Sequence, residues 1–314
     1  MKEDSKDTLM VSIRCLVYNH EPYLRQCLDG FVMQQTNFRF EAIVHDDAST
    51  DGSAAIIREY AAKYPDIIKP IYETENQYSK RDASLRRIMN AHIQGKYVAY
   101  CEGDDFWTDP LKLQKQVDFM ESHPDFSLCT HHCDEYDQDT RQLILDWNRK
   151  IKEDLEFDLD YYITRKTFIT QPLTFLYRRV YLDDVVCAKK YKGYKDLTMV
   201  YILLKQGKGM FLKDNMATYR KHKGGVWHGA SKERQVKSEI NTVLGIYDVE
   251  KSVEAARFLR VSIYNLGYLG FHFLRNQYDI YSKALSVVFN ELGFVVWAKT
   301  IFRSFNIFHK HFGY

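Results

Sequence analysis

Along the first 130 residues, short apolar runs alternate with stretches whose apolar residues recur at helical spacing. Residues 9–18 (LMVSIRCLVY) are apolar apart from Arg14, Ser12 and Tyr18, the pattern of an inner strand in a covered sheet. Asn19-His20-Glu21-Pro22 breaks the run, and Pro22 suits a first helical position. Tyr23, Leu24, Cys27, Leu28, Phe31 and Val32 then predict a helix. A second strand, 40–45 (FEAIVH), runs into Asp46-Asp47, and Asp51-Gly52-Ser53 opens the next helix. Residues 67–72 predict a third strand, placed near a sheet edge by Pro70. A helical stretch ends at Gly95, and a fourth strand, 97–101, leads straight into Glu102-Gly103-Asp104-Asp105.

Further along, the pattern predicts a helix over 111–122, a strand over 126–131 and a helix over 196–205. Two short strands, 210–212 and 216–219, are expected around a turn, and the charged stretch 134–165 is assigned no element. After Ser231 the pattern is helical only, which sets a boundary near 230: a domain over 1–230 and a helical region over 231–314. Alternating strands and helices predict an α/β fold with a mostly parallel sheet. Such sheets bind ligands beyond the carboxyl ends of their strands. Here those ends carry Asn19 and Glu21, Asp46 and Asp47, and Asp104 and Asp105.

With 44 Lys+Arg against 42 Asp+Glu, the net charge of +2 excludes a strongly basic nucleic-acid binder. At 45% hydrophobic, the chain can bury a sizeable core. The cysteines (15, 27, 101, 129, 133, 187) include no C-x-x-C pair and are expected to be reduced and mostly buried, as in a cytoplasmic protein. The start, MKEDSKDTLM, lacks the apolar stretch of a signal peptide, and no 18-residue apolar run predicts a spanning helix.

Adjacent carboxylates repel, so a fixed Asp-Asp pair is costly without a cation. A hard divalent ion held by carboxylate and phosphate oxygens relieves that cost. Asp104-Asp105 and Asp46-Asp47 can each also be read as a solvated turn or a helix cap; two pairs at neighbouring strand ends favour a site. Cys129, His131 and Cys133 can share one face of a strand, but no second ligand pair accompanies them, so buried side chains are favoured over zinc. Lys80, Arg81, Arg86 and Arg87 read as a solvated basic face.

The series VSIRCLVYNHEPYL, FEAIVHDDASTDGS and GKYVAYCEGDDFWTDPLKLQKQ resembles the family 2 glycosyltransferases of the GT-A fold, strongly over about 9–130 and more weakly to 230. ENQYS, EGDDFWTDPLKLQ and YRKHKGGVW are similar to a subgroup found in bacterial polysaccharide assembly. The resemblance implies a nucleoside diphosphate sugar donor. Asp47 would accept a hydrogen bond from the base, which suits uracil or thymine and so a UDP or dTDP donor. Val17, Tyr18, Asn19 and Glu21 would wall the nucleotide pocket, Asp104 would contact the ribose, and Asp105 would bind Mn²⁺ or Mg²⁺. His222 would reach the metal or diphosphate, with Arg220 or Lys221 near phosphate oxygens. The general base of an inverting transfer would be Asp196, although Lys195 stands where the family usually has Gly; Asp196 also reads as a helix cap, and Asp183 and Asp184 are rivals. The acceptor would be a saccharide or a lipid-linked saccharide.

Phe271, Phe273, Phe289, Phe294, Trp297, Phe302, Phe305 and Phe308 interleave with Lys299, Arg303, Lys310 and His311. This pattern fits peripheral contact with the inner face of the cytoplasmic membrane, and equally a helical cap or a dimer contact. Three rivals to a transferase stay open: a nucleotide-sugar binder without turnover, a zinc-binding module, and a nucleotidyltransferase. The last needs a glycine-rich phosphate loop after the first strand, and residues 17–24 contain no glycine.

Overall fold

The computed structural model describes residues 8–145, 148–164, 170–182, 191, 193–225, 230–266 and 278–301. Asp183, Asp184, Cys187, Trp227, Phe271, Phe273 and the aromatic and basic residues beyond 301 lie outside the described residues. The chain divides into two compact units. One comprises Met1–Phe157, Ile169–Val186 and Leu203–Lys221; the other comprises Asp158–Phe168, Cys187–Ile202 and His222–Tyr314.

The first unit is built on one mixed sheet. Its strands are β1 (Leu9–Val17), β2 (Arg39–Asp46), β3 (Ile68–Tyr72), β4 (Tyr97–Tyr100), β5 (Phe106–Trp107), β6 (Phe126–Asp137), β7 (Gln142–Ile144), β8 (Leu155–Phe157), β9 (Leu176–Arg178) and β10 (Lys208–Lys221). The main order is β3-β2-β1-β4-β9-β6-β10-β5, with β7 beside β6 and β8 beside β10. Strands β3, β2, β1 and β4 are mutually parallel, as are β6 and β10, while β9 runs antiparallel between the two groups. Helices α1 (Glu21–Val32), α2 (Ser53–Lys63), α3 (Ser84–His92) and α4 (Lys112–Ser122) connect the strands.

The core forms where the apolar stripe of α1 meets the sheet. Leu24, Cys27, Leu28 and Phe31 pack with Ile13, Cys15 and Val17 of β1, Val44 of β2 and Ile57 of α2. Trp107 closes this layer: its ring meets Phe31 edge-on at 5.0 Å and its indole N–H donates to the Leu173 carbonyl at 2.9 Å. Arg14, the charge inside β1, lies over the Tyr100 ring at 4.9 Å.

Two local expectations change. The segment 208–221 is one strand, not two around a turn. The polar Lys213-Asp214-Asn215 stretch is absorbed as a bulge, with register shifts between Leu212 and Asn215 and between Asn215 and Ala217. The bulged residues find partners: the Lys213 amide donates to Asp154 at 2.9 Å, and Lys115 donates to Asp214 at 2.7 Å. The stretch 134–165, assigned no element, contains the end of β6, the β6–β7 hairpin and β8. The Asp137 carboxylate accepts the Asp139 and Thr140 amides at 3.1 and 2.9 Å, which makes the hairpin turn.

The second unit contains α5 (Leu159–Thr164), the start of α6 (Asp196–Gln206), and α7 (Lys232–Glu250), α8 (Val253–Leu266) and α9 (Tyr278–Leu292). Ring contacts from Tyr162 of α5 and Tyr201 of α6 to Phe258 of α8 pack these helices together. Among the described residues, no helix is long and apolar enough to cross a membrane.

Candidate active site

The loops after β1 and β2 are cross-laced. Asn19 takes a left-handed conformation (φ 57°), which Asn tolerates better than most residues. This turns its amide to Ser49 Oγ at 2.9 Å and its side-chain carbonyl to the Thr50 amide at 2.8 Å. The His20 amide donates to Ser53 Oγ at 2.9 Å, and the Glu21 amide to the Asp51 carboxylate at 3.0 Å. Glu21 Oε2 accepts the Gly52 amide at 2.7 Å. Asn-His-Glu and Ser-Thr-Asp-Gly-Ser are therefore two halves of one clasp. Asn19 and Glu21 use their polar atoms to fix the loops. Val17 is buried and accepts the Asp47 amide at 2.9 Å, while Tyr18 stands 47% exposed at the strand end.

Asp47 is buried, and its carboxylate organises a third loop. Oδ1 accepts the Gln77 amide at 2.6 Å and Oδ2 the Tyr78 amide at 3.0 Å, while the Asp47 carbonyl accepts from the Asn76 side chain at 3.1 Å. The Gln77 side chain donates to Glu73 at 3.1 Å, and Glu73 meets the buried His45 ring at 3.3 Å. Burial lowers the His45 pKa, against the pull of Glu73 and Asp47, so the ring is neutral at physiological pH. Asp46 is also buried, and its Oδ1 has no hydrogen-bond partner.

The acidic turn after β4 is held from below. The Gly103 amide donates to the Leu16 carbonyl at 2.9 Å, and a Cβ at Gly103 would meet Val17 Cγ2 and His20 Nδ1 at 2.9 Å. Only glycine lets the turn approach β1 this closely. The thiols of Cys27 and Cys101 donate to the Glu102 carbonyl at 3.4 and 3.7 Å. Cys15, Cys27, Cys101, Cys129 and Cys133 are all buried free thiols. Asp104 is partly exposed, with Oδ2 at 3.8 Å from His20 Nε2. Asp105 is 6% exposed. Its burial, and then the Asp104 charge beside it, push its carboxyl well above the usual range.

Arg220 of β10 meets this turn. Its main-chain N–H donates to Asp105 Oδ1 at 2.7 Å and its Nε to the Asp104 carbonyl at 2.8 Å. The rest of the guanidinium donates to the side-chain carbonyls of Gln138 and Gln26, both at 2.5 Å. Arg220 is thus enclosed beneath the turn, not displayed to phosphate.

Two neighbouring carboxylates, one of them buried and destabilised as an anion, fit a hard divalent cation that completes its shell with phosphate oxygens and water. Among the described residues, no group of three or more His, Cys, Asp or Glu could cage a metal by itself. Cys129 and His131 are buried, and His131 Nδ1 meets the His132 carbonyl at 2.7 Å.

Asp196 and His222 belong to the second unit. Asp196 is the exposed first residue of α6, and the Lys195 carbonyl accepts the Thr198 and Met199 amides at 2.9 and 3.1 Å. The preceding Gly193 (φ 74°) accepts from Thr242 Oγ1 of α7 at 2.8 Å, which anchors the helix start. His222 is buried, and its carbonyl accepts the Gly225 amide at 3.1 Å.

Sequence reasoning missed Gln26 and Gln138, and it singled out ENQYS (75–79) without its contact to Asp47. Glutamines on a helix and in a stretch of unassigned structure carry no motif signal. Of the basic cluster, Lys80 pairs with Glu75 at 3.1 Å and Arg87 with Asp82 at 3.6 Å, so both stand on a solvated face.

Comparison with known proteins agrees with this architecture. The uncharacterized protein Rv1520 of Mycobacterium tuberculosis is 36% identical over 229 residues, covering 72% of this chain. The chain spans 62% of that relative's length. The crystal structure of S. aureus TarS 1–349 superposes with a TM-score of 0.64 at 17% identity, covering 96% of this chain and 89% of that one. TarS 1–349 in complex with UDP-GlcNAc gives 0.61 at the same identity and coverage. The mannosyltransferase PcManGT of Pyrobaculum calidifontis, in complex with GDP-Man and Mn²⁺, gives 0.59 at 16% identity, covering 94% of this chain and 79% of that one. These likenesses place the fold among GT-A enzymes, and the glycosyl transferase family 2 model matches residues 12–186. With more than half its length matched and the motif loops folded at the carboxyl end of the sheet, the chain belongs to glycosyl transferase family 2.

Proposed function

We propose that this protein is an inverting, metal-dependent transferase that moves a sugar from a nucleoside diphosphate sugar, with UDP as the favoured nucleotide, to a hydroxyl acceptor. The observation that carries this reading is the acidic turn itself: a buried Asp105 beside Asp104, after β4, with the Asp47 loop after β2 and β1 between the two strands. In this reading residues 1–230 are the transferase domain and 231–314 an appended helical region.

Asp47 accepts a hydrogen bond from the base. A carboxylate has about four acceptor positions, and two backbone amides take two of them. Fixing both oxygens in this way orients the remaining lone pairs before the nucleotide arrives. Asp104 contacts the ribose, and the clasp of Asn19 and Glu21 holds Val17 and Tyr18 along the pocket wall. Asp105 and His222 would hold Mn²⁺ or Mg²⁺, which would supply charge stabilisation to the departing diphosphate. Asp196 takes the proton from the acceptor hydroxyl as it attacks the anomeric carbon. An exposed carboxylate on the first turn of an anchored helix is a fixed base that an acceptor can reach. The 222–225 turn, with its paired glycines, closes beside the donor and limits hydrolysis. By the likeness of its motifs, the chain works in assembly of a bacterial surface polysaccharide on the cytoplasmic side, with a saccharide or lipid-linked saccharide acceptor.

Calorimetric titration with UDP, GDP and CDP, with and without Mn²⁺, tests the donor half. Mn²⁺-dependent UDP binding that Asp105→Ala removes is the expected result. GDP binding in its place would overturn the base-reading role of Asp47, and no nucleotide binding would overturn the donor site. Asp196→Asn should keep UDP binding and lower turnover by about 10²–10⁴; undiminished turnover would remove Asp196 as the base.

A further inference from the structure

Arg220 lies against the acidic turn, yet its guanidinium reaches the turn through a carbonyl and not a carboxylate. Antiparallel pairing sets Ala217 opposite Trp107 and Thr218 opposite Phe106. Continuing that register brings Arg220 to Asp104. The side chain is 5% exposed, and its three donating nitrogens go to the Asp104 carbonyl and the side-chain carbonyls of Gln138 and Gln26. The rings of Tyr23, Phe106 and Tyr136 surround the guanidinium, with centroids at 5.1, 4.9 and 5.6 Å. Only the main-chain N–H touches a carboxylate, at Asp105 Oδ1.

This arrangement differs from both ordinary uses of an arginine. A phosphate-binding arginine keeps its fork open to the ligand, and this fork is filled. A charge-neutralising arginine pairs directly with carboxylates, and would then occupy the oxygens a metal needs. Burying a guanidinium among neutral acceptors is costly, so its placement beside two carboxylates needs a compensating interaction. A through-space attraction in a low-dielectric region is such an interaction.

We propose that Arg220 is a positioning residue of the donor site: its guanidinium pins the Asp104 carbonyl and takes no carboxylate oxygen of Asp104 or Asp105, so that the turn is preset for a divalent cation carrying a nucleoside diphosphate. The proposal rests on the donor-site reading above. Lys221, the next residue, is paired with Asp137 at 3.9 Å and offers no equivalent anchor.

The test uses the full chain, with Mn²⁺ and UDP as probes. Arg220→Met keeps the packed stem and removes charge and donors. It should weaken Mn²⁺ binding in saturating UDP at least tenfold and leave metal-free UDP binding within twofold. Arg220→Lys, which keeps the charge but not the fork, should recover part of the loss. Arg178 is a control: its guanidinium too is held by neutral acceptors, the carbonyls of Phe126, Met120 and His123, but at the end of β9, opposite Tyr97 of β4. Arg178→Met should lower the melting temperature and leave Mn²⁺ affinity within twofold.

Wild-type Mn²⁺ affinity in a folded Arg220→Met would overturn the proposal, as would an equal loss in Arg178→Met. Should Arg220→Met not fold, Gln26→Leu removes one acceptor with the arginine in place, and unchanged Mn²⁺ affinity there would count against the proposal. If the wild type shows no Mn²⁺-dependent UDP binding, the donor-site reading fails. Hydrogen exchange of segment 102–107 then decides the pinning: at least tenfold faster exchange in Arg220→Met but not in Arg178→Met supports it, and equal exchange removes it.

Discussion

Glu21 closes on Gly52: its Oε2 accepts the Gly52 amide at 2.7 Å, and a Cβ on Gly52 would lie 2.5 Å from that carboxylate. The contact joins the loop after β1 to the loop after β2. Gly52→Ala forces the carboxylate aside and leaves the amide without its partner, at a cost of about 1–3 kcal/mol. Glu21→Gln keeps a side-chain carbonyl in reach and should cost less. Glu21→Ala with Gly52→Ala removes the clash, so the pair should cost less than the sum of the singles. Urea denaturation of wild type, Gly52→Ala, Glu21→Gln, Glu21→Ala and the double variant measures this; a Gly52→Ala protein as stable as wild type would refute the clasp.

Asp105 carries a conflict between folding and the proposed chemistry. Burial and the Asp104 charge raise its carboxyl in the folded state. The folded protein therefore binds more protons than the unfolded chain between the usual carboxylate range and the raised value, and loses stability as pH rises through that window. Asp105→Asn cannot ionise. It should be more stable than wild type at pH 7 by about 0.5–2 kcal/mol, lose that advantage in acid, and no longer bind Mn²⁺ with UDP. Melting temperatures from pH 4 to pH 8, beside calorimetry, give both halves.

Lys112 is fully buried, with Nζ donating to Gln116 Oε1 at 2.7 Å and lying 4.1 Å from the Trp107 ring centroid. Burial lowers its pKa to about 7. Between about 7 and the ordinary lysine value the unfolded chain holds a proton that the folded protein lacks, so this group makes stability rise with pH, by up to about 1.4 kcal/mol per unit. Lys112→Met removes that slope. The gap between the variant and wild type should narrow from pH 7 to pH 10; a constant gap would show that Lys112 keeps its proton on folding.

Asp47 binds two backbone amides through its two oxygens, at 2.6 and 3.0 Å. Asp47→Asn can present only one acceptor oxygen, so one amide of Gln77 or Tyr78 is left facing an NH₂ group. The cost should be about 1–3 kcal/mol, and hydrogen exchange at 76–78 should quicken. UDP affinity should fall at least tenfold, because the loop loosens and the base acceptor weakens together. Unchanged UDP affinity would remove Asp47 from the nucleotide pocket.

The parallel half of the sheet was legible because its cause is local. Apolar runs such as 9–17 and 40–45, bounded by helical periodicity, suit a sheet covered by helices, and the acidic pairs fell at strand ends. The motif loops of a large family were legible for the same reason: their residues are consecutive. The bulge in β10 was not, because Lys213 and Asp214 read as a turn until Asp154 and Lys115 supply partners from distant segments.

The sequence by itself determined the parallel strands, the family motifs and the acidic pairs that stand at the strand ends. Only tertiary structure decided what they touch. Asn19 and Glu21 read as pocket residues, and the structure adds that they lace two loops together, because Thr50 and Gly52 meet them across 31 residues of chain. Arg220 or Lys221 read as standing near phosphate oxygens, and the structure buries Arg220, because sheet pairing brings it 115 residues back to Asp105. Periodicity reports how each segment faces the core, whereas a partner far along the chain is set by strand order and register, which no local pattern encodes.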